Sequence, residues 1–319
     1  MPTGPILLSD FVAAKHAAAI EAAAPGVPLV VIHAGGRLEG DVDAVEIAYF
    51  SGDLFPDRGA EFWRPVLKLT RLRWMHTYSA GVDHWVFQKM LEKGVRLSSS
   101  SGASAVPIAH TVMLYVLALS RDLPGWIDAQ ARHAWEPRSV DDVSGRVLAV
   151  VGLGPIGLEV ARLGQAFGMR VIGLRRTPGG DEPCETWPLS RLDELLPLAD
   201  YLVLALPLTP ATRHLIDARA LARLRPSARL INVGRGELIE ETALARCLAE
   251  GRIAGAGLDV FEVEPLPAES SLWDQRNVVI TPHSAGTNPG NDDRATAIFI
   301  DNLWRYVRGE RLSNEVAGR

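Results

Sequence analysis

An apolar, β-branched run over residues 147–151 leads directly into Gly152, Gly154 and Gly157, spaced as Gly-x-Gly-x-x-Gly. An amphipathic stretch over 158–167 follows at once, so the local order is strand, tight turn and helix. In such a turn the first glycine permits the bend, the second lets a pyrophosphate approach the backbone, and the third lets helix and strand pack closely. The helix N-terminus then presents N–H groups and a positive dipole end to the phosphates. The segment predicts a dinucleotide site; a glycine-rich turn without a ligand is the alternative.

The length and charge of the chain narrow the classes of protein that are possible. At 319 residues it exceeds the size at which a single core stops growing, so two domains are expected. The formal net charge of −5 gives no electrostatic reason to expect nucleic acid or a membrane surface as a partner. Cys184 and Cys247 lie far apart and lack metal or redox spacing, so we expect no metal site and a reducing compartment. With neither a signal-peptide pattern nor a membrane-length apolar run, we expect a cytoplasmic protein.

Strand and helix patterns alternate along most of the chain. Over the first 101 residues short apolar runs alternate with helix-like stretches, which predicts βαβ units and a parallel sheet. Stronger strands follow from residue 146 and are predicted over 147–151, 170–174, 201–206, 228–233, 255–260 and 278–281. A final helical pattern over 295–307 is expected to pack back on the first domain. The predicted fold is α/β, with two Rossmann-like, doubly wound parallel-sheet domains and an interdomain cleft. One domain is discontinuous and flavodoxin-like, over 1–101 plus 287–319, and the other is the dinucleotide-binding domain over 102–286.

A connecting helix is predicted between these two domains. Residues 108–120 are apolar almost all round but too few to cross a bilayer, which is typical of a buried helix. Its apolar surface exceeds what one domain face needs. The polar segment over 121–143 is expected to be a surface excursion.

The end of the second strand of the dinucleotide domain bears on the choice of cofactor. In such folds an acidic residue about 20 residues after the glycines binds the ribose 2′-hydroxyl. Here the predicted strand over 170–174 ends in Arg175, Arg176 and Thr177, with no carboxylate. Guanidinium groups bind phosphate bidentately, which suits the 2′-phosphate of NADP(H). We therefore predict a preference for NADP(H), with NAD(H) possible; two solvated surface arginines are the alternative.

Three motifs end three consecutive predicted strands of the second domain, at the carboxyl ends where open α/β sheets bind ligands. They are Leu230-Ile-Asn-Val-Gly-Arg-Gly236, Leu258-Asp-Val-Phe-Glu-Val-Glu-Pro-Leu-Pro267 and Val279-Ile-Thr-Pro-His-Ser-Ala-Gly286. Together with the glycine turn and the segment 206–216, they closely resemble the D-isomer-specific 2-hydroxyacid dehydrogenase family, over about residues 75–286. One departure is His110, which stands where the family usually carries a glutamate.

The resemblance implies a catalytic trio whose roles agree with the chemistry of the side chains. Arg235 would bind the substrate carboxylate and polarise its 2-oxo group, since a guanidinium grips a carboxylate bidentately and never deprotonates. His283 would give a proton to the carbonyl oxygen and take one back in oxidation, because imidazole titrates near the working pH. Glu264 would accept a hydrogen bond from the other ring nitrogen, favour the imidazolium and orient the ring. A turn arginine, a structural histidine and a plain loop carboxylate are the alternatives.

The resemblance also implies further contacts to the cofactor. We expect them at the glycine turn and at the ends of neighbouring strands. The predicted residues, besides the three glycines and Arg175 to Thr177, are Pro155, Ile156, Leu206, Pro207, Thr212, Val233, Asp259 and Thr111. Asp259 would meet the nicotinamide carboxamide or only cap the next turn. Thr111 would contact the cofactor or only cap the buried helix.

In the first domain, Tyr78-Ser-Ala-Gly-Val-Asp83 resembles the substrate loop of the family. Its small residues permit close approach, so the N–H groups of Ala80 and Gly81 would meet the carboxylate. An ordinary strand–helix turn is the alternative. Tyr78 and Trp135 are candidates for the wall of the substrate pocket, although aromatic residues more often lie in a core or an interface.

The function these motifs predict is reduction of a small 2-oxoacid to the D-2-hydroxyacid by an NADP(H)-preferring enzyme, similar to glyoxylate/hydroxypyruvate reductases. The substrate side chain, of glyoxylate, hydroxypyruvate or phenylpyruvate type, stays open. Formate enzymes of the family pair the histidine with glutamine, so Glu264 argues against formate, whereas a phosphite dehydrogenase stays open. An alternative from another class is a dinucleotide-sensing protein like the corepressors on this scaffold. The resemblance also implies a two-fold homodimer, with the helix over 108–120 as a candidate contact.

Overall fold

The computed structural model describes residues 4–316, which fall into two compact units. One unit runs as far as Ala103 and resumes at Asn288, and the other is Ser104–Thr287. The strands are β1 Ile6–Ser9, β2 Leu29–Ile32, β3 Leu38–Glu39, β4 Ile47–Phe50, β5 Trp74–Thr77, β6 Arg96–Ser99, β7 Val147–Val151, β8 Arg170–Arg175, β9 Glu185–Pro188, β10 Tyr201–Leu204, β11 Arg229–Asn232, β12 Gly255–Leu258, β13 Val278–Ile280 and β14 Glu315–Val316. The α-helices are α1 Asp10–Ala23, α2 Gly59–Val66, α3 Trp85–Glu92, α4 Ala105–Ser120, α5 Leu123–Ala131, α6 Pro155–Ala166, α7 Leu192–Leu195, α8 Ala218–Leu221, α9 Glu241–Ala249 and α10 Asn291–Val307.

The first unit is built on a seven-stranded sheet in the order β14-β6-β5-β4-β1-β2-β3. β2, β1, β4, β5 and β6 are parallel, and the two short outer strands, β3 and β14, are antiparallel to their neighbours. The strand order reverses between β1 and β4, which makes this a doubly wound sheet with its switch point at their carboxyl ends.

The sheet of the first unit is apolar on both faces because helices cover both. All four residues of β1, β4 and β5 are buried, as expected for parallel strands with helices on either side. Phe299 and Leu303 of α10 are fully buried in the core cluster that contains Trp74. The ring of Phe299 stacks on that of Tyr49, with centroids 4.3 Å apart. The helical pattern expected over 295–307 therefore belongs to the first unit, which is discontinuous in sequence.

The second unit is built on an all-parallel sheet in the order β13-β12-β11-β10-β7-β8-β9. This is the doubly wound order of dinucleotide-binding domains, with its switch point between β7 and β10. The strand predicted over 147–151 has those bounds in the structure. The register pairs Leu204 with Val151, Leu204 with Asn232 and Asn232 with Leu258, so four neighbouring strands end at one edge.

α4 packs on one face of this second sheet. Ala109, Val112, Tyr115 and Val116 are fully buried, whereas Leu114 is 51% exposed. The helix begins at Ala105, earlier than the predicted residue 108, because Pro107 fits the first turn, where its missing N–H is not needed. In residues 4–316 no single helix is long and apolar enough to cross a membrane; α4 and α5 reach that composition only as a pair bent by 66°.

Several elements were not predicted from sequence. α5 lies inside the segment expected to be a surface excursion, and α2 was missed. Three short edge strands, β3, β9 and β14, were also missed because they are only partly buried and lack the continuous apolar run of the inner strands. All of them lie outside the strand ends that carry the predicted site.

Candidate active site

The glycine turn has the geometry that a pyrophosphate requires. Gly152 has φ +102°, and a β-carbon there would lie 2.8 Å from the Ala205 carbonyl carbon. A β-carbon at Gly157 would overlap the carbonyl oxygen of Gly152, so helix and strand meet as closely as predicted. Gly154, by contrast, faces open space, and no side chain caps the N-terminus of α6 there. Backbone N–H groups in Pro155–Gly157 are thus presented beside open space, and these residues fit a dinucleotide phosphate.

A carboxylate that was not predicted lies against the end of β8. Arg175 Nη1 lies 2.7 Å from Glu182 Oε1, and the Glu182 side chain is only 4% exposed. Hydrogen bonds from the Gly179 and Gly180 N–H groups, with that of Arg175, lower the pKa of Glu182 to about 2. Arg175 therefore already has an anionic partner at neutral pH. The Gly-Gly turn before Glu182 was the available signal, since it bends the chain back toward β8.

Arg176 and Thr177, which follow Arg175, are both exposed. They lie just past the end of β8. Arg176 can therefore reach a ligand in solvent without first breaking a buried contact. The prediction of a phosphate-binding arginine pair stays a prediction, with Arg176 the more accessible member.

Other predicted cofactor residues lie at the ends of β10 and β11. Leu206 and Val233 are buried, and Leu206 Cβ would be 2.8 Å from a β-carbon on Gly152, so it packs under the glycine turn. Pro207 is exposed, but its carbonyl accepts a hydrogen bond from Thr212 Oγ1 at 2.9 Å. Thr212 Oγ1 also accepts from the N–H of Thr209 at 2.7 Å. The Thr212 hydroxyl is thus engaged within its own loop, which leaves it less able to bind phosphate than expected.

Arg235 lies on a turn that directly follows β11. The fully buried Asn232 holds this turn: its Nδ2 donates to the Arg235 carbonyl at 2.8 Å, and its Oδ1 accepts from the Gly234 N–H at 3.0 Å. A β-carbon at Gly236 would overlap the backbone of Phe261, so the Arg235 turn lies directly against the loop that follows β12. Asn232 is therefore a positioning residue. It lies within the motif over 230–236, but no role was predicted for it from sequence.

Glu264 and His283 are brought together from two different loops. His283 Nδ1 lies 2.7 Å from Glu264 Oε2, while Glu264 Oε1 accepts from the Phe261 N–H at 3.0 Å. The carboxylate is therefore fixed at both oxygens, and it orients the imidazole. The side chain of His283 is half-exposed at 51%. With Nδ1 engaged by the carboxylate, Nε2 is the nitrogen available for proton transfer.

Asp259, at the end of β12, holds the turn that carries His283. Its Oδ1 accepts from the N–H groups of Ser284 at 2.9 Å and Ala285 at 3.0 Å. Its carbonyl accepts from the His283 N–H at 2.8 Å. Asp259 thus holds the turn around Ser284 and Ala285, not the turn directly after β12 that the alternative prediction named. Its contact with a carboxamide stays a prediction.

Thr111 does not start the buried helix, as was expected, because α4 begins six residues earlier. Its hydroxyl shares one proton between two acceptors, the carbonyls of Pro107 at 3.2 Å and Ala285 at 3.3 Å. Thr111 thus contacts the segment that follows His283. Its predicted contact with the cofactor stays untested.

In the first unit, the predicted substrate loop follows β5. Ser79 Oγ donates to the Gly81 carbonyl at 2.8 Å, which bends the loop and leaves Ala80 exposed. The Tyr78 ring packs at 5.6 Å from that of Phe50, and burial raises the pKa of Tyr78 to about 12. Tyr78 is therefore a neutral, partly buried aromatic residue at the base of the loop.

A buried polar network that was not predicted lies under this loop. His76 Nε2 is 3.0 Å from Ser100 Oγ, and Ser100 N–H donates to the carbonyl of Ser79 at 3.2 Å. Burial lowers the pKa of His76 to about 3, so it is neutral at ordinary pH. The network supports the loop from inside the sheet.

Two residues discussed in the sequence analysis, Trp135 and His110, belong to none of the groups described above. Trp135 is 96% exposed. It lies in no packed core, so its place in a pocket wall stays a prediction. His110 is exposed on α4 and lies near Glu159, whose pKa is lowered chiefly by a hydrogen bond from Arg162 and to a lesser extent by His110.

The second unit therefore places the glycine turn, the His283–Glu264 pair and Arg235 at the same edge of one sheet. β11, β12 and β13 are neighbours, and the loops from their carboxyl ends carry Arg235, Glu264 and His283. A general acid oriented by a carboxylate, with a fixed cation for an anionic group, is suited to proton transfer at a carbonyl during reduction. Fold and site together define a dinucleotide-dependent oxidoreductase.

Comparison with known proteins supports the same class. Residues 113–285 match the family model described as D-isomer specific 2-hydroxyacid dehydrogenase, NAD binding domain. A glyoxylate/hydroxypyruvate reductase B from Pectobacterium carotovorum is 38% identical over 253 residues, covering 76% of this chain and 78% of that protein. The chain spans half the length of a D-3-phosphoglycerate dehydrogenase from Methanocaldococcus jannaschii, 33% identical over 264 residues, or 81% of this chain.

A solved structure is similar over the whole chain. The NADPH-dependent glyoxylate/hydroxypyruvate reductase from Sinorhizobium meliloti, in complex with NADP and sulfate, superposes with a TM-score of 0.79 at 29% identity, over 99% of this chain and 98% of that one. The chain belongs to the D-isomer specific 2-hydroxyacid dehydrogenase family, a family of oxidoreductases.

Proposed function

We propose that the protein reduces a small 2-oxoacid to the D-2-hydroxyacid, with NADP(H) as the preferred cofactor. The observation that carries this proposal is the His283–Glu264 pair, 2.7 Å apart, at the sheet edge that also carries Arg235. The named activities of the Pectobacterium and Sinorhizobium relatives support the 2-oxoacid as substrate class. The glyoxylate, hydroxypyruvate or phenylpyruvate side chain stays open.

The roles of the residues follow from their chemistry. Arg235 binds the carboxylate of the substrate through paired N–H groups and draws electron density from the neighbouring carbonyl. Glu264 stabilises the imidazolium and presents Nε2–H of His283, which donates a proton to the carbonyl oxygen as it becomes the hydroxyl. When bound, the nicotinamide supplies the hydride. In the reverse direction His283 takes the hydroxyl proton.

The preference for NADP(H) rests on Arg175, the last residue of β8, and on Arg176 directly after it, where other folds of this kind place a carboxylate. The Sinorhizobium relative binds NADP, which supports this choice. Glu182 supports the opposite preference, because its carboxylate beside Arg175 would repel a 2′-phosphate. For NADP(H) to bind well, Arg175 must exchange Glu182 for the phosphate or Arg176 must supply most of the attraction.

Replacing both arginines tests the cofactor assignment. In Arg175→Ala/Arg176→Ala we expect KM for NADPH to rise about 10–100-fold and KM for NADH to change less than about threefold, because only NADPH carries the phosphate they bind. The measurement is steady-state kinetics with each cofactor at saturating oxoacid. Arg170→Ala is a matched control, since this arginine begins the same strand and pairs with Glu185 on the surface. An equal loss with both cofactors would contradict the assignment, as would a wild-type preference for NADH.

The reaction itself is tested by following NADPH oxidation at 340 nm with glyoxylate, hydroxypyruvate and phenylpyruvate. We expect turnover of about 1–10³ s⁻¹ with at least one of them, and a D-configured product where the product is chiral. NADP reduction by phosphite, with no oxoacid turnover, would replace the proposal with the phosphite alternative. Cofactor binding without turnover of any of these compounds would favour a sensor.

Two further expectations accompany this proposal. Leu114 of α4 and Ile127 of α5 are 51% and 57% exposed, an apolar surface that agrees with the predicted two-fold dimer. The dimer and the cytoplasmic location stay predictions.

A further inference from the structure

One face of α4 bonds to both sides of the turn that carries His283. Thr111 and Tyr115 are four residues apart, so both project from the same face of this helix. Thr111 Oγ1 donates to the carbonyl of Ala285, two residues after His283, at 3.3 Å. The Tyr115 hydroxyl is hydrogen-bonded to Thr281 Oγ1, two residues before His283.

The hydrogen bonds that begin at Tyr115 continue through Thr281 to Asp259, and each hydroxyl donates toward Asp259. Thr281 Oγ1 lies 2.5 Å from Asp259 Oδ1 and donates its single proton to that carboxylate. The Tyr115 hydroxyl must therefore donate to Thr281, because the threonine proton is already used. Burial raises the pKa of Tyr115, which keeps the phenol protonated as this chain of bonds requires.

This series of hydrogen bonds, from Tyr115 through Thr281 to Asp259, ends on the backbone around His283. Asp259 accepts from the Ser284 and Ala285 N–H groups through Oδ1 and from the His283 N–H through its carbonyl. His283 itself has φ +50°, in the left-handed region, which strains a residue that carries a β-carbon. Such a conformation persists only where surrounding contacts hold it, and the Asp259 bonds supply them.

We propose that Tyr115 and Thr281 are positioning residues that hold the His283 turn, through Asp259, in the conformation that aligns the imidazole with Glu264. The inference rests on the proposed reduction of an oxoacid. Packing alone does not explain the hydroxyl of Tyr115: its ring fills the space above Gly257, where a β-carbon would come within 2.5 Å, and phenylalanine would fill that space equally. A hydroxyl in a fully buried position stabilises only when it is hydrogen-bonded.

The test compares Tyr115→Phe, Thr281→Val, Thr281→Ser and the Tyr115→Phe/Thr281→Val double variant with wild type. We expect kcat for oxoacid reduction to fall about 3–10-fold in Tyr115→Phe and about 10–100-fold in Thr281→Val, with KM for NADPH within about twofold. Thr281→Ser should restore most of kcat, because it keeps the hydroxyl. In the double variant the loss should match that of Thr281→Val alone, because Tyr115 acts through Thr281.

Tyr201→Phe is the matched control, since it removes another buried phenol hydroxyl from the same unit, at the start of β10. We expect its kcat to equal that of wild type. Rates are expressed per site that binds NADPH in a fluorescence titration, so that loss of folded protein is not counted as loss of kcat. An unchanged kcat per site in Thr281→Val overturns the proposal, as does equal loss in Thr281→Ser and Thr281→Val or additive losses in the double variant.

A second measurement separates this inference from the proposed function. If wild type reduces none of the oxoacids, the proposed function fails, and the positions of the imidazole can still be read by ¹⁵N-histidine NMR. We expect a downfield Nδ1–H proton for His283, identified by its absence in His283→Ala, from the bond to Glu264. That resonance should broaden or shift in Thr281→Val and be retained in Thr281→Ser. An identical resonance in wild type and Thr281→Val overturns the positioning role.

Discussion

Replacing His283 with alanine is expected to lower kcat for oxoacid reduction by on the order of 10²–10⁴-fold. In the proposed reaction the ring is the proton donor to the carbonyl oxygen, and water in its place is neither oriented by Glu264 nor poised to protonate the developing alkoxide. The glycine turn that we propose binds the phosphates lies between β7 and α6, so the Kd of NADPH should change less than about threefold. Stopped-flow or steady-state kinetics, with a separate fluorescence titration of NADPH, measures both quantities.

The chain offers a matched control for this substitution. His214 is also half-exposed, has φ +50° and pairs with a carboxylate, its Nε2 lying 2.8 Å from Glu262 Oε1. His214→Ala should keep kcat within about threefold of wild type, because His214 lies in the loop after β10 and donates no proton to substrate. A near-native kcat in His283→Ala, or equal losses in the two variants, would show that His283 is not the acid.

Replacing Arg235 with alanine is expected to lower kcat/KM for the oxoacid by about 10²–10⁴-fold, from two lost charge-assisted hydrogen bonds. Most of the loss should appear as a higher KM, with a smaller loss in kcat from weaker polarisation of the carbonyl. Arg235→Lys should recover only part of it, because a point charge does not reproduce bidentate geometry. Steady-state kinetics at fixed, saturating NADPH, with the oxoacid varied, measures kcat and KM for each variant.

Arg213→Ala is the control for charge alone, since this exposed arginine lies 3.6 Å from Glu237 in the helical turn that follows Arg235. It should change kcat/KM less than about threefold. If Arg235→Ala raised KM for NADPH and left KM for the oxoacid unchanged, Arg235 would belong to the cofactor site, and the substrate carboxylate would need another partner.

Local sequence was sufficient to predict the elements that carry the site. The strand over 147–151 and its glycine turn were predictable because an apolar β-branched run and a glycine spacing are both local signals. The predicted strands over 201–206, 228–233 and 255–260 ran one or two residues longer than β10, β11 and β12 at one or both ends. Strand ends are less predictable because the last residues of a strand can hydrogen-bond to the following loop instead of to the neighbouring strand. Those loop contacts exist only in the folded protein.

The contacts between loops were not predictable from local pattern. Glu182 reaches Arg175 across a turn. Asn232 holds the Arg235 turn from inside its strand. Thr111, predicted to contact the cofactor or else to cap the buried helix, hydrogen-bonds Ala285, 174 residues away in sequence. Each of these three contacts depends on which side chains the sheet brings to one edge. Periodicity along the sequence does not predict which side chains those are.

The sequence by itself determined the two alternating α/β patterns, the phosphate-binding turn and the identities of Arg235, Glu264 and His283, because strands, glycine turns and titratable side chains are properties of short segments. Only the tertiary structure decided that Glu264 meets His283 at 2.7 Å, that Glu182 already partners Arg175, and that α4 bonds the His283 turn through Thr281 and Ala285. Those contacts arise where neighbouring parallel strands end at a common edge, and strand order in a sheet is set by packing between distant segments.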